Sequence, residues 1–192
     1  MTRVLPLRAG LLQIASWLAG AGLLCLPLVG HAQTPADGLS SSAEYIAAFV
    51  RYVHWQDEER LETWNVCIVG DLPVEQDRAY SDRVVRGKGF KVRRIDADTP
   101  LADCQIVDLT AADAVTTAKL LARTRHLPIL AIGSGAGFCS AGGQICLHLG
   151  ERLPADRQKF EVNISAMRDA ALGVSARLLT LGSAHTADKD VP

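Results

Sequence analysis

The N-terminal leader constrains this chain most, because it decides which residues belong to the fold and in which compartment they fold. Residues 1–8 carry two arginines and no acid, an apolar run follows from Ala9 to Val29, and small residues precede Gln33. This order is typical of a secretory signal peptide, and we expect cleavage after Ala32, which makes residues 1–32 a removed leader. The alternative is a retained membrane anchor, since the apolar run is nearly long enough to span a bilayer. The proline and glycines within the run favour cleavage.

Cleavage would remove one of the five cysteines and leave four in an oxidising compartment. The composition, with 48% hydrophobic and 21% charged residues, is ordinary for one globular domain and excludes disordered and collagen-like chains. The formal net charge of −1 supplies no basic field for nucleic-acid binding. We therefore expect one exported domain that does not bind nucleic acid.

The four remaining cysteines, Cys67, Cys104, Cys139 and Cys146, predict two disulfides. Cys139 and Cys146 flank a turn of small residues, and their β-carbons can approach bonding distance if the flanking segments pair as a hairpin. By elimination, Cys67 and Cys104 form the second bridge. Free buried thiols are the alternative, which an oxidising compartment disfavours. No C-x-x-C spacing is present, so neither a zinc site nor a thiol oxidoreductase is expected.

Hydrophobic periodicity predicts strands that alternate with helices. Ser41 and Glu44 form a capping box for a first helix that runs to about Trp55. The predicted strands are 64–69, 90–95, 104–109, 128–132, 145–149 and 160–162, and the later helices are 74–86, 111–123 and 164–181. This pattern favours a three-layer α/β/α sandwich with a mainly parallel central sheet and an irregular or antiparallel edge. We expect a single domain over residues 43–182, a flexible arm over 33–42 and a disordered tail over 183–192.

No motif predicts a catalytic site, a metal site or a cofactor. The glycines between Gly133 and Gly137 are not followed by a helix, which a dinucleotide-binding loop requires. Ser134 lacks the G-x-S-x-G context of a hydrolase nucleophile, because Ala131 occupies the first glycine position. The remaining histidines follow no pattern that links them to a nucleophile and an acid. We therefore predict that the protein is not an enzyme.

Two surface features are candidates for binding. Aromatic residues concentrate around the first helix, and Tyr45, Tyr52 and Trp55 are the candidate partner contacts, although core packing would also explain some of them. Residues 83–94 carry six basic side chains and no acid, among them Arg86, Lys88 and Arg93. These three residues are candidates for an anion site, with solvated charges around a turn as the simpler interpretation.

Several segments resemble the YfiR-like family of periplasmic regulators, over about residues 43–182. The most specific are G-G-Q-I-C-L from Gly142 and F-E-V-N followed by S-A-R-L-L-T-L at the end of the domain. The four cysteines also fall in the order that the two disulfides of this family require, which implies Cys67 with Cys104 and Cys139 with Cys146. The resemblance thus implies a disulfide-bonded α/β domain in the periplasm.

The resemblance also implies a function. The protein would be a homodimer that binds the periplasmic sensor domain of an inner-membrane diguanylate cyclase and represses it, which lowers cyclic-di-GMP and biofilm formation. An OmpA-like outer-membrane lipoprotein would sequester the repressor under envelope stress. Apart from the resemblance, the two disulfides lead us to the hypothesis that redox state also controls repression, because reduction would open a bridge and release the cyclase. The alternative is a periplasmic module that binds a small anionic solute through the basic stretch.

Overall fold

The computed structural model describes residues 39–70, 74–135, 137–148 and 159–185, and the predicted leader lies outside these ranges. Strands and helices alternate along the chain, as the periodicity predicted. The helices are α1 (Leu39–Val50), α2 (Val74–Ser81), α3 (Ala114–Thr124), α4 (Ile164–Asp169) and α5 (Ala176–Leu181). The strands are β1 (Val53–His54), β2 (Trp64–Val69), β3 (Val84–Val85), β4 (Lys88–Ile95), β5 (Ile106–Asp108), β6 (Leu130–Ser134), β7 (Ile145–Leu147), β8 (Phe160–Asn163), β9 (Gly173–Val174) and β10 (Ser183–His185).

Eight of these strands form one sheet in the order β10-β8-β7-β6-β5-β2-β4-β3, and β1 pairs separately with β9. The pairs β8–β10, β2–β4, β2–β5, β5–β6 and β6–β7 are parallel, whereas β7–β8 and β3–β4 are antiparallel. The mainly parallel sheet with antiparallel pairs toward its edges confirms the predicted fold class. Among the helices of the described ranges, none combines the length and the apolar character that a membrane span requires.

The sheet separates two hydrophobic cores, because side chains of a strand alternate between its faces. From β2, Trp64, Val66 and Ile68 enter the first core, whereas Cys67 and Val69 enter the second. The first core also receives α1 and buried residues of α2, α4 and α5. The second core receives α3 together with all four disulfide cysteines. One face is therefore covered mostly by helices, and the other by one helix and disulfide-bonded loops.

The predicted helix over residues 164–181 is wrong, because the chain turns in its middle. Helix α4 ends in a Schellman turn, in which Ala171 adopts a φ of 54° and the N–H of Leu172 donates to the carbonyl of Met167. Gly173 and Val174 then pair with β1, and the Ser175 side chain caps α5. Apolar residues keep a helical spacing on both sides of this break, so the sequence pattern did not indicate the turn.

Smaller differences occur at the ends of the domain. Helix α1 begins at Leu39, inside the predicted arm, so Ser41 lies within the helix and not at its cap. The same helix ends at Val50 instead of Trp55, because Val53 and His54 leave it to pair with β9. The predicted tail begins with strand β10, which extends the sheet beside β8. The leader and the rest of the arm and tail stay predictions.

Candidate functional site

The first disulfide joins the centre of the sheet to the segment that enters β5. Cys67 lies on β2 and Cys104 precedes β5, with their Cα atoms 5.8 Å apart, which confirms the predicted pair. Both residues are buried, at 0% and 3% exposure. Arg93, which lies opposite Cys67 on β4, donates from Nε to the Cys67 sulfur at 3.2 Å and from Nη2 to the Cys104 sulfur at 3.4 Å. The guanidinium also donates to the carbonyl of Pro100 at 3.0 Å, so it is fixed against the bridge.

The second disulfide, Cys139–Cys146, closes the connection between β6 and β7. The pair is confirmed, but the predicted hairpin is wrong, because β6 and β7 run parallel. The ring of Phe138 packs directly against Gly133 and Gly143, where a β-carbon would collide with it. These two glycines therefore serve close packing, and the glycine-rich segment connects two strands, as predicted for a turn and not for a nucleotide loop.

Buried amide side chains tie the second disulfide to the surrounding elements. Asn163 donates from Nδ2 to the carbonyl of Cys139 at 2.8 Å, and its Oδ1 accepts from the N–H of Ala166 as the cap of α4. Gln144 accepts the N–H of Ala131 at 2.9 Å. Asn163 is 4% exposed and Gln144 is 1% exposed, so these hydrogen bonds satisfy groups that burial would otherwise leave unpaired.

Two of the three predicted partner contacts line one surface groove. Tyr45 and Tyr52 project from α1 and the turn after it, and they share a groove of about 420 Å³ with Leu181 of α5. Tyr45 stacks on Phe49 with ring centroids 5.9 Å apart, and Phe49 meets Phe160 edge-on at 4.9 Å. Leu181 is 50% exposed and adds apolar surface to this groove. We name this surface the α1–α5 groove.

The third predicted contact, Trp55, lies elsewhere. Trp55 is 7% exposed and packs against Trp64, with ring centroids 5.1 Å apart and ring planes inclined by 48°. Its Nε1 donates to the carbonyl of Pro128 at 2.9 Å. It forms one wall of a separate, mainly apolar cavity of about 290 Å³, which Cys104, Gln105 and Pro128 also line. Trp55 is thus a packing residue that borders this cavity, and the structure does not bring it together with the two tyrosines.

The three candidate anion ligands do not converge. Arg86, in the β3–β4 turn, pairs with Glu58 through two hydrogen-bonding contacts and lies 4.9 Å from the centre of the Trp64 ring. Lys88 lies beside a depression that Asp57, Glu58 and Glu59 also line. Arg93 is five residues further along β4, on the opposite face of the strand, against the disulfide. The anion site stays a prediction from the sequence.

The carboxylates with shifted pKa values have structural roles. The Thr99 hydroxyl, together with the N–H groups of Asp98 and Thr99, holds the pKa of Asp96 below its usual range. The N–H and hydroxyl of Thr116 do the same for the pKa of Asp113, the cap of α3. Both carboxylates hydrogen-bond to groups of their own turn. Within the described residues, no group of three or more potential ligands could hold a metal ion.

Sequence reasoning missed the contacts that give the site its character. The sequence suggests Arg93 as a cation for a ligand, yet its guanidinium donates to the two sulfurs and to the carbonyl of Pro100. Only the register of β2 and β4 reveals the contact with Cys67. Leu181 and Phe160 line the α1–α5 groove from segments far from α1 in the chain. No local pattern in the sequence points to this groove, because the exposure of Leu181 and its place beside α1 follow from the tertiary fold.

Comparison with known proteins agrees with this arrangement of fold and disulfides. No curated protein matches the chain. A family model described as YfiR/HmsC-like matches residues 40–183, which span α1 through the start of β10 and include both disulfides. The match covers about three quarters of the sequence and the whole of the sheet apart from the end of its last strand. This chain therefore belongs to the YfiR/HmsC-like family.

Proposed function

We propose that this protein is an exported regulator that binds the periplasmic sensor domain of an inner-membrane diguanylate cyclase and holds the cyclase inactive. The observation that carries the proposal is the YfiR/HmsC-like domain over residues 40–183, because this family is regulatory and is associated with a diguanylate cyclase partner. Two buried disulfides agree with an oxidising compartment. The carboxylates whose pKa values shift serve turns and caps, which agrees with a role in binding and not in catalysis.

The α1–α5 groove is the surface that we assign to the cyclase. It combines two half-buried tyrosines with an exposed leucine, and aromatic side chains in an apolar groove are typical anchors of protein interfaces. Repression then follows from population shift, because a repressor that binds the inactive receptor better than the active one stabilises the inactive state. A change from 1:99 to 99:1 requires about 5.5 kcal/mol of differential binding.

The decisive experiment measures cyclic-di-GMP in a deletion strain complemented with the full chain or with a version that lacks residues 1–32. We expect deletion to raise cyclic-di-GMP and only the full chain to lower it again, because only an exported repressor reaches a periplasmic sensor domain. An unchanged level after deletion would contradict cyclase repression. Restoration by the leaderless version would contradict the site of action.

Substitution of the groove separates its role from that of the fold. Leu181→Asp places a charge in the apolar groove, and we expect it to abolish repression at wild-type abundance. Val115→Asp is the matched control, since Val115 is 80% exposed on α3, which packs on the other face of the sheet. If Leu181→Asp represses as strongly as Val115→Asp, the cyclase does not bind at this groove.

Redox control is part of the proposal. Reduction would open a bridge, loosen the second core, in which all four cysteines lie, and release the cyclase. We expect Cys146→Ser to repress less than the wild-type protein at equal abundance. Equal repression would contradict redox control through this bridge and would leave cyclase binding intact.

The resemblance to the family also supports a second partner and a dimer. An OmpA-like outer-membrane lipoprotein would compete with the cyclase for the repressor, so its soluble domain should displace the repressor from an immobilised cyclase sensor domain. The repressor itself would be a homodimer, which sedimentation at micromolar concentration would reveal. A repressor that stays bound to the sensor domain at saturating lipoprotein would contradict competition.

A further inference from the structure

Strand β4 leaves most of one edge of the large sheet open. It spans eight residues, but its outer neighbour β3 pairs only with Lys88 and Gly89. From Phe90 to Ile95, β4 pairs with β2 on its inner side. In the described ranges, no strand pairs with this six-residue segment on its outer side. We name residues 90–95 the β4 edge.

The hairpin between β3 and β4 shows which backbone groups of β4 face outward. Its turn has two residues, Arg86 and Gly87, so the closing pair Val85 and Lys88 exchange backbone hydrogen bonds. Because the direction of backbone groups alternates along a strand, the N–H and C=O groups of Phe90 and Val92 also face outward. Neither residue forms a backbone hydrogen bond outside the β2–β4 ladder within the chain described here.

The side chains of the β4 edge carry positive charge. Lys91 and Arg94 are exposed, and Arg93 donates to the two sulfurs of the neutral disulfide. Lys91, Arg93, Asn65 and Asp103 line a surface cavity of about 290 Å³ beside the edge, so two cations face one carboxylate there. A second copy of this chain that paired edge to edge would place these cations against their own copies, which is destabilising. The charge therefore favours an acidic occupant over a second copy.

We propose that the β4 edge accepts an extended acidic segment of a partner protein as an additional strand. Main-chain hydrogen bonds to Phe90 and Val92 would supply affinity, and acidic side chains beside Lys91 and Arg93 would supply specificity. Lysines on an exposed edge also deter aggregation. Here the same cations favour an incoming strand that carries negative charge. This surface lies at the opposite end of the sheet from the α1–α5 groove, so neither proposal depends on the other.

The test uses capped seven-residue peptides and the full mature protein. The probe alternates Glu and Val, a first control alternates Lys and Val, and a second control is the Glu-Val peptide with N-methylated amides, which cannot pair as a strand. We expect calorimetry to detect binding of the Glu-Val peptide alone, together with slower amide exchange at Phe90 and Val92. Equal binding of the N-methylated peptide, or no binding of the Glu-Val peptide, would overturn the proposal.

Variants of the protein test the same contacts from the other side. Val92→Pro removes an N–H that faces outward, so the β2–β4 ladder is retained while the new strand is blocked. Lys91→Glu should weaken binding of the Glu-Val peptide about tenfold. Arg125→Glu is the matched control, because Arg125 is also exposed, follows α3 and undergoes the same change of charge, and we expect it to leave binding unchanged. If Val92→Pro converts a dimer into a monomer, a second copy occupies the edge and the acidic partner is excluded.

Discussion

The guanidinium of Arg93 contacts both sulfurs of the Cys67–Cys104 disulfide, and no comparable cation contacts Cys139–Cys146 in the part of the chain that the structure describes. When an external thiolate attacks a disulfide, the sulfur that leaves carries the negative charge. A cation beside that sulfur stabilises the departing thiolate and speeds exchange. We therefore expect the two bridges to differ in their rate of exchange with thiols because of the Arg93 side chain.

Replacement of Arg93 tests this difference. We expect Arg93→Met, which retains most of the side-chain length without the charge, to slow reduction of Cys67–Cys104 by dithiothreitol by about threefold to tenfold. Timed alkylation followed by mass spectrometry measures each bridge separately. Cys139–Cys146 in the same molecule is the internal control, and an equal change at both bridges would contradict a direct effect of Arg93.

The same residue shows why the site was only partly predictable from sequence. The cysteine pairs followed from their number, spacing and compartment. The contact between Arg93 and the sulfurs depends on the register of two parallel strands that are 26 residues apart, and local pattern carries no information on that register. Tyr45 and Tyr52 were found because they are local to α1, whereas Leu181 reaches them only through the tertiary fold.

At the scale of elements, the turn that ends α4 places an alanine in the left-handed conformation, which favours glycine. Ala171 has a φ of 54° at the position where Schellman turns prefer glycine, because a β-carbon costs about 1–2 kcal/mol in that region. We expect Ala171→Gly to raise the free energy of unfolding by about 0.5–1 kcal/mol after the entropy cost of glycine is subtracted. Urea denaturation measures the change. Ala118→Gly, within α3, should instead lower it by about 1 kcal/mol. A loss of stability at both positions would contradict the strained turn.

Helix α3 provides a pH-dependent prediction. Hydrogen bonds from Thr116 lower the pKa of Asp113, so the charged cap favours the folded state. That stability is fully present above the ordinary aspartate pKa of 3.8 and is lost as the pH falls through the lowered value. Asp113→Asn retains a capping side chain without a charge. We expect the wild type to be the more stable protein at pH 7, and we expect urea titrations at a pH below 3.8 to show a smaller difference. A difference that is the same at both values would contradict the assignment.

Most elements were predictable, and the exceptions share a physical cause. Strand β2 was predicted at its observed bounds, because five of its six residues are buried and apolar and turn residues follow it. Strands β1 and β9 have two residues each and exist only because they pair with each other. Such short elements leave no periodic signal, and their pairing also ended α1 early and divided the predicted last helix.

At the scale of the whole molecule, the two disulfides close loops of very different length. Cys67–Cys104 spans 37 residues and encloses α2, β3 and β4, whereas Cys139–Cys146 spans 7. In the chain-entropy model, loss of the longer loop costs about 4 kcal/mol and loss of the shorter about 2.5 kcal/mol. We expect the Cys67→Ser/Cys104→Ser protein to unfold at lower urea concentration than the Cys139→Ser/Cys146→Ser protein. The opposite order would contradict control by loop length.

The two hydrogen bonds of the Asn163 side chain connect the two faces of the sheet. Its amide nitrogen bonds the carbonyl of Cys139, and its amide oxygen starts α4, so one planar group serves a disulfide loop on one side of the sheet and a helix on the other. A displacement of the Cys139 carbonyl would therefore remove a hydrogen bond from Asn163, the residue whose side chain caps α4. The chemical state of the Cys139–Cys146 disulfide and the position of α4 are thus linked. A single rotation of the Asn163 side chain couples the two faces of the sheet.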